Sequence, residues 1–113
     1  MKKQEQIKLN EEVRNILSTK CNQYFECPFR IHRFYYDTHL DNQLYHCNAY
    51  IYRFYNGVML ESYATCVAWY DFETKNVYDF LRLAYGYTAT SSQHIHKFAK
   101  YYNAKRIISY KEV

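Results

Sequence analysis

The chain has few of the residues and segments that usually form turns, cross-links or membrane anchors. It contains one proline and two glycines, and no apolar run approaches the roughly 20 residues that cross a bilayer. Residues 1–6 lack the hydrophobic segment of a secretory signal. The four cysteines form no CxxC pair, which argues against a zinc ribbon and a thioredoxin-like centre. We therefore expect an intracellular protein with no membrane span, no cofactor and no bound metal.

Aromatic residues are in surplus. The 113 residues, enough for a single domain over 1–113, include 15 Tyr, 7 Phe and 1 Trp. Tyrosine suits both cores and wet interfaces, and so many rings in a short chain cannot all be buried. The net charge is +4, with five Lys or Arg against one acidic residue in 89–113. The composition therefore indicates a binding surface, with basic contacts from the C-terminal part.

An N-terminal helix is predicted over residues 10–20. Asn10 is a natural N-cap, and residues 1–9 either extend the helix or fray. Four residues recur at helical spacing and share one face of this helix: Val13, Ile16, Leu17 and, through its aliphatic stem, Lys20.

A C-terminal helix is predicted from a capping box, with Thr90 as N-cap and Gln93 reaching back to it. Its core stripe is Ile95, Phe98, Ala99 and Tyr102. The residues that fall outside this stripe, towards solvent, are Lys97, Lys100 and Tyr101.

The dipeptide Asn56-Gly57 is the strongest hairpin signal in the sequence. A two-residue type I′ loop there places Tyr55 opposite Val58. It also pairs two apolar runs, the second of which extends to Trp69.

Side-chain alternation sorts this hairpin into two faces. The first is expected in the core: Tyr45, Cys47, Ala49, Ile51, Val58, Leu60, Ala64, Cys66 and Ala68. Cys47 and Cys66 then lie directly opposite each other as two packed, reduced thiols. The second face is aromatic with polar groups between: His46, Tyr50, Tyr52, Phe54, Glu61, Tyr63, Thr65 and Trp69. It forms either a second buried layer or an exposed aromatic platform.

The remaining segments complete an α+β domain. Pro28 breaks the chain before a strand predicted at Phe29–Tyr36. Residues 70–88 fit both helical spacing and short strands, and we favour strand; 106–110 form a final strand or an extended tail. The prediction is an antiparallel sheet of about 4–5 strands built around the Asn-Gly hairpin, with an N-terminal and a C-terminal helix.

No residue pattern predicts catalysis. His94 and His96 are two apart on a helix, so they cannot share a metal. Either could contact a phosphate or a carboxylate partner, and a polar helix surface or a hydrogen bond in the cap region also explains them. Ser91 and Ser92 cap the helix or contact a phosphate. A metal at Cys21, Cys27 and His32 would require the Pro28 loop to fold back. With no nucleophile motif and no phosphate loop, the chain is not expected to be an enzyme.

Two segments resemble a family of small bacteriophage proteins. They are 62–68, Ser-Tyr-Ala-Thr-Cys-Val-Ala, and 87–98, which contains Tyr-Thr-Ala-Thr-Ser-Ser-Gln-His and ends in Lys-Phe. The resemblance covers roughly residues 58–102. It implies a phage or prophage accessory protein in the host cytoplasm and carries over no catalytic residues.

Small phage proteins commonly bind a macromolecule, so the leading hypothesis is a non-enzymatic inhibitor of a host protein. A CRISPR effector or another defence nuclease fits this role, as in anti-CRISPR proteins, with the inhibitor a monomer or homodimer. The predicted partner anchors are Tyr50, Tyr52, Tyr63 and Trp69. The alternative is a nucleic-acid-binding protein that stacks bases on the aromatic face. Its phosphate contacts, or contacts to an acidic protein surface, would come from Lys97, Lys100, Lys105 and Arg106.

Overall fold

The structure, a computed structural model, describes residues 2–20, 32–33, 49–63, 65–84 and 88–113. The elements are α1 (Lys3–Thr19), β1 (His32–Arg33), β2 (Ala49–Phe54), β3 (Gly57–Ser62), β4 (Thr65–Asp71), β5 (Val77–Asp79), α2 (Leu81–Ala84), α3 (Ala89–Tyr101) and β6 (Ile107–Ser109). One sheet has the order β1-β2-β3-β4-β5-β6, antiparallel except between β5 and β6. The predicted α+β class, with a helix towards each end of the chain, is confirmed. None of the helices that the structure describes is long and apolar enough to span a membrane.

The β2–β3 hairpin turns one residue earlier than its sequence signal predicts. Phe54 pairs with Gly57, so the two turn residues are Tyr55 and Asn56. Neither of them has the positive φ that a type I′ turn requires. The predicted Asn-Gly loop and the pairing of Tyr55 with Val58 are therefore wrong.

Gly57 has a packing role in β3. A Cβ at this position would overlap the Trp69 ring and the carbonyl oxygen of Tyr70 on β4. Glycine is needed here because another strand approaches closely, a use that a turn signal cannot reveal.

The predicted second strand of the hairpin is in fact two strands. β3 ends at Ser62 and β4 begins at Thr65. Tyr63 makes the turn between them with a φ of 50°. A left-handed backbone is uncommon for a bulky residue. Because a tyrosine stands here in place of glycine, proline or asparagine, the sequence gives no signal for this turn.

A bulge in β4 reverses the predicted position of Cys66. Leu60 pairs with Ala68 and Glu61 pairs with Cys66, which leaves Val67 as the extra residue. Cys66 therefore packs with the α1 side of the sheet, where its thiol contacts the sulfur of Met59. It also lies on β4, which pairs with β3 and β5 and not with β2, so the hairpin register that placed Cys66 opposite Cys47 is wrong.

The two faces of the sheet are both covered. The turn shift moves the β2–β3 pairing by two residues, which leaves their side chains on the predicted faces. The predicted core face packs under α3: Ala49, Ile51, Val58, Leu60, Ala68, Ile95, Phe98 and Ala99. The other face packs under α1: Val13, Ile16, Met59, Trp69, Tyr78, Phe80 and Ile108, with Tyr52 and Phe54 at its margin.

α1 begins before its predicted start, and Asn10 lies in the middle of the helix. Its side-chain amide hydrogen-bonds the backbone of the segment after β6 in the way that a neighbouring strand would. The Asn10 Nδ2 donates to the Lys111 carbonyl (2.7 Å), and Asn10 Oδ1 accepts the Lys111 N–H (3.0 Å). Gln6 donates to the same Oδ1 (2.7 Å) and to the Ser109 carbonyl (3.0 Å). Asn10 is therefore a tether and not an N-cap.

α3 also begins earlier than predicted, because its N-cap is Thr88. The Thr88 hydroxyl accepts the Ser91 N–H (3.2 Å), and Thr90 lies inside the first turn. The core stripe is confirmed: Ile95, Phe98 and Ala99 are buried, and Tyr102 packs beside them. The predicted N-cap lies two residues too late because both threonines suit an N-cap.

Residues 77–84 contain both of the structures that the sequence left open. β5 is the strand, and α2 is a single helical turn whose start is fixed by Asp79, which accepts the Leu81 N–H (3.0 Å). The final segment forms β6. Predictions that lie outside the described residues concern Pro28, most of the Phe29–Tyr36 strand, Cys21, Cys27, Tyr45, His46, Cys47 and Ala64.

Candidate functional site

The four predicted anchors do not form one surface. Tyr50 and Tyr52 are half-buried, and the Tyr52 hydroxyl donates to the Glu61 carboxylate (3.1 Å). Trp69 is fully buried and is therefore wrong as a surface anchor. Tyr63 is 52% exposed, beyond the end of β3. Trp69, with the partly buried Tyr52 and Phe54, packs in a layer with residues of α1, which is one of the two predicted outcomes for the aromatic face.

Exposed rings instead gather where three connecting segments meet. The Phe72 N–H donates to the Asn56 carbonyl (3.1 Å), which joins the β4–β5 turn to the β2–β3 turn. The Lys105 N–H donates to the Lys75 carbonyl (2.8 Å), which joins the α3–β6 loop to the β4–β5 turn. Tyr55, at the tip of the first turn, is 91% exposed.

The rings at this end contact one another in series. Tyr102 stacks on buried Tyr70 (5.0 Å between centroids), and Tyr101 packs edge-on against Tyr102 (4.9 Å). Phe72 packs edge-on against Tyr70 (5.8 Å), with the Arg53 guanidinium 5.6 Å from its ring centre. Tyr101 is 60% exposed. We call this surface the aromatic end: Arg53, Tyr55, Phe72, Tyr101 and Tyr102.

Arg53 links the two halves of the aromatic end. Burial raises the pKa of the Tyr102 hydroxyl above its ordinary value of 10.0, while Arg53, hydrogen-bonded to it, acts in the opposite direction. The guanidinium thus bridges the Phe72 ring and the Tyr102 hydroxyl, a contact that favours a fixed orientation.

A buried carboxylate fixes the turn that carries Phe72. Asp71 accepts hydrogen bonds from the Trp69 indole (3.2 Å) and the Thr74 N–H (3.0 Å), and it pairs with Lys20 (3.2 Å). Burial raises the pKa of Asp71, but these three donors outweigh burial and hold it below its ordinary value of 3.8. The charged form therefore anchors the turn to α1 and β4.

The four predicted basic residues divide between two places. Lys100 and Lys105 are exposed on the elements that carry Tyr101 and Tyr102. Lys97 is half-buried further up α3, and Arg106 lines a groove along α1 with acidic residues such as Glu5. Of the four, Lys100 and Lys105 therefore lie beside the aromatic end.

A second polar feature lies at the other end of α3. Ser62, at the end of β3, has its Oγ 2.9 Å from the Ser91 Oγ and 2.7 Å from His94 Nδ1. All three side chains are fully buried. We call Ser62, Ser91 and His94 the serine–histidine cluster. It is where the described residues of the two phage-like segments meet.

Tyr63 covers the serine–histidine cluster. Its ring stacks on the His94 imidazole (5.8 Å between centroids) and stays half exposed, whereas His94 is buried. Burial lowers the pKa of His94 from 6.5 to about 4, so the imidazole is neutral at pH 7. The predicted place of His94 on a polar helix surface is wrong, while His96 is exposed, with its Nδ1 2.8 Å from the Ser92 carbonyl.

The sequence carries a partial signal for the serine–histidine cluster and none for the assembly of the aromatic end. His94 lies one residue before Ile95 of the core stripe, which places it at the edge of the buried face. Nothing in the spacing brings Arg53, Phe72 and Tyr102 together, because they belong to three separate segments. Among the described residues, no group of three or more His, Cys, Asp or Glu side chains is placed to hold a metal ion.

No family model, no curated protein and no solved structure matches this chain. The two features that bear on function are therefore an exposed, cationic ring surface and a buried hydroxyl–imidazole network.

Proposed function

We propose that the protein binds a host protein through the aromatic end and inhibits it by covering part of its surface. The observation that carries this proposal is the exposure of two rings: Tyr55, two residues after Arg53 in the chain, and Tyr101, which packs on the Tyr102 that Arg53 hydrogen-bonds. Tyr and Arg are the residue types that dominate binding hot spots. The role of phage accessory protein, with a CRISPR effector or other defence nuclease as target, rests on the sequence resemblance.

The aromatic end is arranged to bind with little loss of entropy. Tyr102 is held by Tyr70 on one side and Tyr101 on another, and Arg53 is held over Phe72. Side chains that are already ordered lose few rotamers when a partner arrives. This supports a preformed surface that anchors a partner.

Charge favours an acidic partner. The exposed cations on the three segments and on the element ends that flank them are Arg53, Lys75, Lys100, Lys105 and Arg106, and the exposed carboxylate is Glu73. Arg106 lines the groove along α1, and the other four positive charges less one negative charge leave about +3 beside the exposed rings. Such a surface speeds association with an acidic protein patch and suppresses basic partners.

The same charge makes single-stranded nucleic acid the second candidate. An exposed ring such as Tyr101 or Tyr55 can stack a base, a contact worth roughly 1–3 kcal/mol. The neighbouring lysines would then contact phosphates, as predicted for Lys100 and Lys105.

A capture experiment tests the leading proposal. Immobilised protein is exposed to a bacterial lysate, alongside the double variant Tyr55→Ala/Tyr101→Ala. Both rings are exposed, so their removal leaves the fold intact. We expect a host protein that the wild type retains and the double variant loses, and whose activity falls when purified wild type is added.

Tyr63→Phe is the matched control, since it changes an exposed tyrosine at the other end of α3. It should capture the same protein as the wild type. A partner retained equally by the double variant would place the binding surface elsewhere.

An anisotropy titration decides the second candidate. A labelled single-stranded oligonucleotide is titrated at two salt concentrations. Micromolar binding that weakens steeply with salt and disappears in the double variant would support nucleic acid as the ligand. No binding at low salt would exclude it.

A further inference from the structure

Ser91, Ser62 and His94 form a chain of hydrogen bonds that leads from a cleft to an imidazole. The cleft, of about 370 Å³, is lined by Tyr63, Thr65, Thr88, Thr90 and Ser91. From Ser91 the chain passes to Ser62 (2.9 Å) and from Ser62 to His94 Nδ1 (2.7 Å).

The direction of proton donation follows from the number of protons available. When neutral His94 carries its proton on Nε2, its Nδ1 accepts from Ser62. Ser62 has one hydroxyl proton, so its oxygen must then accept from Ser91. A proton leaving Ser91 can therefore move to Ser62 while the Ser62 proton moves to His94. Burial keeps the imidazole neutral at pH 7, so its Nδ1 can accept the hydrogen bond from Ser62, and the two short contacts set the path of the proton.

We propose that Ser91 is a nucleophilic serine, activated through Ser62 by His94, that transfers the acyl group of a small ester to water. This activity is independent of the binding proposed for the aromatic end. It replaces the expectation of a chain without chemistry at these residues.

The reaction balances with the ester and water as its only reactants. The Ser91 Oγ bonds to the carbonyl carbon as the relay carries its proton to His94, and the carbon–alkoxide bond breaks. Ser91 Oγ is now acylated, so the imidazolium returns its proton through Ser62 to the alkoxide, which leaves as the alcohol. Water then gives a proton through Ser62 to His94 as its oxygen bonds to the acyl carbon. The bond to Ser91 Oγ breaks, and return of that proton to Ser91 releases the acid and restores the serine.

Access to Ser91 depends on Tyr63. Ser91 is fully buried at the wall of the cleft, and the half-exposed Tyr63 ring lies over the neighbouring imidazole. Tyr63 also has a φ of 50°, a conformation that glycine adopts without strain. Tyr63→Gly therefore removes the cover and leaves the turn favourable.

The test uses a fluorophosphonate probe, which bonds to nucleophilic serines, with intact mass and peptide mapping as the readout. We expect one adduct per chain, on Ser91, and none in Ser91→Ala. Ser62→Ala and His94→Asn should slow labelling by about tenfold or more, because each breaks the relay. Tyr63→Gly should label faster than the wild type.

Ser92→Ala is the matched control, since Ser92 is the adjacent serine and lies off the relay; it should label like the wild type. Circular dichroism identifies any variant that fails to fold, and urea-unfolded wild type should not label, because the relay is then absent. No adduct on native wild type, an adduct on Ser62 or another residue, or equal labelling of the unfolded chain would overturn the proposal. Hydrolysis of p-nitrophenyl acetate that Ser91→Ala abolishes would confirm turnover.

Discussion

Folding keeps His94 neutral, because the imidazole is fully buried between β3 and α3. Burial lowers its pKa from 6.5 to about 4. The unfolded chain therefore binds a proton at a higher pH than the folded chain does. This contribution to stability is complete above about pH 6.5 and is lost as the pH falls towards about 4.

His94→Asn should remove that pH dependence. Asparagine places a hydrogen-bonding atom near the position of Nδ1 and has no proton that titrates in this range. Between about pH 7 and pH 4.5, the melting temperature of the wild type should fall about 5–10 °C further than that of the variant. His96→Asn, at an exposed position, is the control. Parallel melting curves for wild type and His94→Asn across this range would contradict the burial of the imidazole.

Gly57→Ala tests the close approach of β3 and β4. The added Cβ would overlap the Trp69 ring and the Tyr70 carbonyl, so a strand or the ring must move. We expect a loss of about 1–3 kcal/mol in the free energy of unfolding, measured by urea denaturation. Tyr55→Ala, in the exposed turn beside it, should change stability by less than about 0.5 kcal/mol. A neutral Gly57→Ala would show that the turn and the register are not as described.

At the residue scale, composition predicted that rings would be exposed but not which ones. The exposure of Tyr101 is predictable from its position outside the core stripe of α3. The burial of Trp69 is not predictable in this way, because it depends on the space that Gly57 leaves on the neighbouring strand. Local patterns report a side chain's direction, whereas burial depends on the element that packs above it.

The tether between α1 and the segment after β6 joins the two ends of the described chain. Asn10→Ala would leave the Lys111 N–H and carbonyl without their partner and remove an acceptor for Gln6. We expect a loss of about 1–3 kcal/mol in the free energy of unfolding. Hydrogen exchange at the Lys111 amide should also become faster.

Asn15→Ala, on the exposed side of the same helix, is the control for helix propensity and should be close to neutral. If Asn10→Ala is equally neutral, the tether does not exist in solution.

At the element scale, the long helices and their core faces were predictable because the 3.6-residue pattern repeats over several turns. The turns were harder to predict than the helices. Asn56-Gly57 is a strong turn signal, but Gly57 lies in β3, where it packs against Trp69, and the turn at Tyr63 has no sequence signal. The bulge at Val67 then reversed Cys66, because alternation cannot reveal an extra residue.

At the scale of the whole molecule, the α+β class followed from the order of the elements, but the candidate site did not. The aromatic end combines side chains from β2, the β4–β5 turn and the end of α3. The sequence placed its aromatic platform on the sheet, where α1 in fact covers it. A surface assembled by loop contacts, such as Phe72 to Asn56, depends on tertiary structure that no local pattern encodes.

The central claim is that the aromatic end is the surface that binds. The most direct test is the dissociation constant of the purified, captured partner for Tyr101→Ala and for Tyr63→Phe, measured by titration calorimetry. We expect Tyr101→Ala to raise the dissociation constant about thirtyfold, because it removes a hot-spot residue. Tyr63→Phe should bind like the wild type. Unchanged affinity of Tyr101→Ala, with a loss in Tyr63→Phe, would contradict it and move the binding site to the other end of α3.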